Sequence, residues 1–121
     1  MVETGEARRV LSEQIEEAAA WRRRLAETNP SDSRNPRSAA GLEELAGFVR
    51  ALPADDPDLA LIATHSHAAG GSLLLGESLI YALRRFRQDR PEPCRSFLGQ
   101  LARLAVEDAD QHRRYQEMQL E

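Results

Sequence analysis

Three side chains in this sequence are of the types that could hold a divalent cation: Glu77, Asp108 and His112. Asp108 and His112 stand four residues apart, so on a helix they share one face. If the segments before and after Arg90–Pro93 form an antiparallel helical hairpin, Glu77 comes level with Val106, Asp108 with Leu75 and His112 with Gly71. Two carboxylates and an imidazole then converge inside a helical core, the setting in which carboxylate-rich metal sites are built. The pattern is incomplete. No Glu-x-x-His occurs anywhere, and the chain has three histidines in all. A buried network pairing these acids with an arginine is the stronger expectation. No cofactor is expected; a divalent metal is the alternative.

Other reactive residues read more plainly. His65 and His67 point about 200° apart on a helix, so they cannot share one metal. Buried at a dimer contact, either would make association sensitive to pH near 6. Cys94 falls in the first turn of a helix between Arg90 and Arg95, where the helix end and the guanidinium groups would lower its pKa. No histidine lies near it in sequence, so it reads as an incidental thiol. Arg84, Arg85, Arg87, Arg90 and Arg95 form a basic run that suits the C-terminal end of a helix. Residues 107–121 carry five carboxylates and two arginines, a solvated acidic face. Trp21 precedes Arg22-Arg23-Arg24, and Trp and Arg dominate interface hot spots.

Proline sets the elements that must position these groups. Pro30 and Pro36, Pro53 and Pro57, and Pro91 and Pro93 make three breaks and leave four helical segments. The first is expected from Thr4 to Thr28, with Leu11, Ile15, Ala18, Trp21 and Leu25 on one stripe. A linker at 29–35 leads to the second, which starts with Asn35 as cap and Pro36 in its first turn and buries Leu42, Leu45, Val49 and Leu52. Asp56 and Pro57 repeat that start for the third, which runs towards Asp89. The fourth runs from Pro93 to about Gln119, with Phe97, Leu101, Leu104, Asp108, Gln111, Tyr115 and Met118 on a heptad-like stripe.

The third segment is unusually apolar: from Ala60 to Leu83 its one formal charge is Glu77. Its small-residue ridge Ala60-Thr64-Ala68-Ser72-Gly76 suits close helix contact. Gly70-Gly71 would kink or break it, since each glycine costs about 1 kcal/mol relative to alanine. Two histidines, Glu77 and the glycine pair make it a poor membrane span. The expected fold is therefore all-α: one four-helix bundle over residues 1–121, with a long apolar third helix, completed as a homodimer. Trp21, Arg22, Ala68, Ser72 and Gly76 are the expected interface residues.

Composition sharpens this. All 16 basic residues are arginine. Schiff-base chemistry and a phosphate-loop lysine are excluded. A net charge of −4 disfavours generic nucleic-acid binding. A single cysteine excludes an intrachain disulfide and fits the cytoplasm, as does the acidic, polar N-terminus, which is no secretory signal. With no phosphate loop, nucleophile elbow or zinc spacing, the leading expectation is a small soluble protein acting through contact with an unidentified protein partner, without catalysis. The alternative is a metal-binding or metal-dependent helical bundle.

Overall fold

The structure, a computed structural model, describes residues 3–65, 67–69, 72–74, 77–86 and 93–120; the side chains of 67–69, 72–74, 77, 78, 112 and 120 are outside the description. Helices dominate: α1 (Thr4–Thr28), α2 (Arg34–Arg50), α3 (Pro57–His65), α4 (Glu77–Arg84) and α5 (Cys94–Leu120). Two three-residue strands, β1 (His67–Ala69) and β2 (Ser72–Leu74), pair antiparallel between α3 and α4, with Ala69 opposite Ser72.

The amphipathic stripes account for the packing. Leu11, Ile15 and Ala18 of α1 are buried, as are Leu42, Leu45 and Val49 of α2 and Leu52 just beyond it. These two helices form an antiparallel hairpin. Arg23 meets Glu43 at 2.7 Å and Arg50 meets Glu16, the reversed order that antiparallel neighbours require. Leu59 and Ile62 of α3, Leu79 and Leu83 of α4, and Phe97, Leu98 and Leu101 of α5 complete one core drawn from all five helices. α3 packs chiefly on α5, while α4 lies against both α5 and α1.

The Asp56-Pro57 start of α3 is as expected. Asp56 Oδ1 accepts the N–H groups of Asp58 and Leu59, each at 3.1 Å, in the manner of an N-terminal cap. The start of α2 is different. Asp32, not Asn35, accepts the Arg34 N–H at 3.0 Å, and the helix begins at Arg34. Asn35 is buried inside the first turn, where its Oδ1 accepts a hydrogen bond from Arg22 at 3.1 Å.

The third segment does not form one long helix in the structure. Residues expected as one kinked helix divide into α3, the β1–β2 pair and α4, so the described residues contain five helices rather than four. Gly70-Gly71, between the two strands in sequence, fall outside the described residues. A Gly-Gly pair is costly inside a helix and is among the dipeptides that reverse a strand. The small-residue ridge goes with the helix: Ala60 and Thr64 stay in α3, Ala68 sits in β1 and Ser72 in β2. Among the described residues no helix is long and apolar enough to cross a membrane.

Candidate functional site

The C-terminal part of α1, the start of α2 and the end of α4 meet around Trp21. Arg22 ties the three together. Its Nη1 donates to Asn35 Oδ1, and its Nη2 donates to the carbonyl oxygens of Arg84 (2.6 Å) and Phe86 (3.2 Å). Carbonyls at a helix end lack intrahelical donors and carry the negative pole of the dipole, so a guanidinium there both bonds and balances them. The Arg22 and Arg84 guanidinium carbons lie 5.2 and 5.3 Å from the Trp21 ring centroid, within cation–π range.

Beside this junction opens a cleft of about 370 Å³, lined by Trp21, Arg22, Asp32, Arg34, Ser38, Arg84 and Arg85. Arg34 donates to both carboxylate oxygens of Asp32, each at 2.9 Å. Those bonds, with the Arg34 backbone N–H, hold the Asp32 carboxyl down at about 2. Arg85 lies over the Tyr81 ring at 5.3 Å and donates to its hydroxyl at 3.3 Å. Trp21 and Arg22 were legible as a pair from their adjacency; Arg34, Ser38, Arg84 and Arg85 were not. The run from Arg84 to Arg95 was the one available signal for the cationic wall.

A second exposed feature is the far end of α5. Its stripe is buried at Phe97 and Leu101 and half-buried at Leu104 and Asp108, then exposed from Gln111 on. Residues 111 and 113–119 are exposed, with Tyr115 at 60% and Met118 at 72%. Phe86 meets Phe97 edge to face at 5.0 Å, the pairing expected of an antiparallel α4–α5 hairpin.

The expected metal cluster falls largely outside the description. Glu77 begins α4, Asp108 is half-buried in α5 and His112 lies on α5, but the side chains of Glu77 and His112 are not described. Among the described residues, no group of three His, Cys, Asp or Glu side chains could hold a metal ion. Of the expected interface residues, the side chains of Ala68 and Ser72 and the whole of Gly76 are likewise outside it.

Cys94 reverses its expectation. Burial pushes its thiol up and Glu44 of α2 pushes it further, against the lowering expected from the helix end and the neighbouring arginines. The thiol is thereby held in its protonated, weakly nucleophilic form. One acid is deeply buried among the described residues, at the start of α3. Asp56, 4% exposed, meets Arg95 at 2.7 Å, and Arg95 also reaches Asp58 at 3.3 Å.

No protein-family model matches the chain, and neither a curated protein nor a solved structure matches it.

Proposed function

We propose that the chain acts through protein–protein contact in the cytoplasm, as a homodimer that takes a further protein partner, and performs no catalysis of its own. In this reading α1, α2, α5 and the α3–α4 pair serve as the four members of a bundle. The observation that carries it is the uncovered stripe at the end of α5, where Tyr115 and Met118 stand exposed on the face that Leu101 and Leu104 begin. An apolar stripe continued past its own cover gains by burial against a partner.

The spacing supports a second copy as one occupant. Leu104 and Met118 each lie seven residues from Gln111. An antiparallel copy crossing at Gln111 therefore sets each Leu104 against the other chain's Met118. Gln111 meets itself, a polar position that fixes register. The test is sedimentation velocity on the full chain and on a Tyr115→Glu/Met118→Glu variant. The wild type should sediment as a dimer and the variant as a folded monomer. A wild-type monomer, or a variant that remains dimeric, would overturn the reading.

A further inference from the structure

The cleft beside Trp21 gathers more positive charge than it offsets. Four guanidinium groups line it against Asp32, the one carboxylate among its described lining residues. Arg34 is already committed to that carboxylate through two hydrogen bonds. Arg84 and Arg85 differ. Their described partners are the Trp21 ring, the Tyr81 ring and the Tyr81 hydroxyl, and neither guanidinium has a carboxylate partner among the described residues. Bringing such cations to one wall is unfavourable by itself and becomes favourable when an anion sits between them.

The place of the cleft in the fold suits the same ligand chemistry. The cleft lies at the N-terminal end of α2, where the helix presents its positive pole. Ser38, 1% exposed, also lines the cleft and carries a hydroxyl able to donate to a ligand oxygen.

We propose that this cleft binds the phosphoryl group of a small organic phosphate, with Arg84 and Arg85 supplying charge and Ser38 a neutral donor. A phosphoryl dianion offers three oxygens in three directions, which suits donors arriving from two helices. A carboxylate takes a single planar fork. The cleft volume falls in the range of small-molecule sites and leaves room beyond the phosphoryl group. The assignment stands on different residues from the α5 contact and does not depend on it.

Isothermal titration of the full chain with pyrophosphate and with inorganic phosphate, at constant ionic strength, tests it. Saturable one-to-one binding is expected, weakened about tenfold or more by Arg84→Gln and by Arg85→Gln and untouched by Arg9→Gln. Arg9 pairs with Glu6 and Glu13 on α1 and serves as the control cation. Arg84 and Arg85 are exposed, so both variants should keep the helical spectrum of the wild type. No saturable binding up to about 10 mM, or an equal loss in Arg9→Gln, overturns the proposal. So does citrate binding as tightly as pyrophosphate, which would make the cleft a carboxylate site. Displacement of pyrophosphate by a peptide of residues 107–121 would give the cleft to an acidic protein segment and overturn it equally.

Discussion

Removing the Asp56 carboxylate should destabilise the fold far more than removing an ordinary surface acid. The side chain is buried at the start of α3, where Oδ1 accepts two backbone N–H groups at 3.1 Å and Oδ2 lies 2.7 Å from Arg95. Losing an N-terminal cap costs about 1 kcal/mol. Stranding buried donors that had bonded a charged acceptor brings the expected loss for Asp56→Ala to roughly 2 kcal/mol. At this chain length that corresponds to a fall in Tm of about 6–10 °C. Asp56→Asn keeps an oxygen at the cap and loses the charge, so it should cost about half as much.

The pH dependence follows from the same contacts. Burial pushes the Asp56 carboxyl up, but the Leu59 N–H and the Arg95 guanidinium together outweigh it and hold it below the ordinary value. A carboxyl depressed in the folded chain stabilises it fully above the unfolded value, about pH 4, and that contribution is lost as the pH falls through the folded value. Urea unfolding followed by circular dichroism, at neutral pH and through the acid range, reads both effects. The wild type should lose stability more steeply below about pH 4 than Asp56→Asn does. An Asp56→Ala loss under about 0.5 kcal/mol, or identical acid slopes in wild type and Asp56→Asn, would refute the reasoning.

Three further outcomes are expected. Gly47 is exposed within α2, and a Cβ built there meets nothing within 4 Å, so Gly47→Ala should stabilise the chain by about 0.5–1 kcal/mol in the same assay. Arg22→Gln removes the donors to the Arg84 and Phe86 carbonyls, so amide exchange should accelerate across α4 while the interior of α2 keeps its protection. Protein purified without chelators should carry no stoichiometric transition metal. One metal per chain would point to Glu77, Asp108 and His112 as the site.

Much of the helical layout was legible because local rules decide it. Proline, capping residues and a 3.6-residue period mark α1 and α5 closely, and the Asp56-Pro57 pair marks the start of α3. Where two local signals compete, neither alone decides the structure. Asn35 before Pro36 looks like a cap, yet the helix begins at Arg34 and the Asn35 side chain bonds Arg22 instead. The apolar run after Ala60 looks like one helix because burial, rather than backbone preference, dominates its pattern. The same run contains two adjacent glycines, which a helix interior disfavours.

The candidate sites depend on contacts distant in sequence. Trp21 and Arg22 stand out as neighbours, but nothing local places Arg34 and Arg84 beside them. Cys94 shows the same limit, since its sequence neighbours are cationic and the group that raises its pKa beyond burial is Glu44 of α2. The uncovered end of α5 lies between these cases. Its stripe is written in the sequence, and its exposure appears only when the other helices stop short of it.

Disulfide trapping at Gln111 tests the α5 contact most directly. In a Cys94→Ala background, Gln111→Cys places a thiol at the crossing of the two stripes. Mild oxidation should convert the protein almost wholly to a species of twice 13.5 kDa. Arg113→Cys, about 200° around the helix, should cross-link poorly. Equal cross-linking at the two positions, or a persistent monomer with Gln111→Cys, would contradict the account.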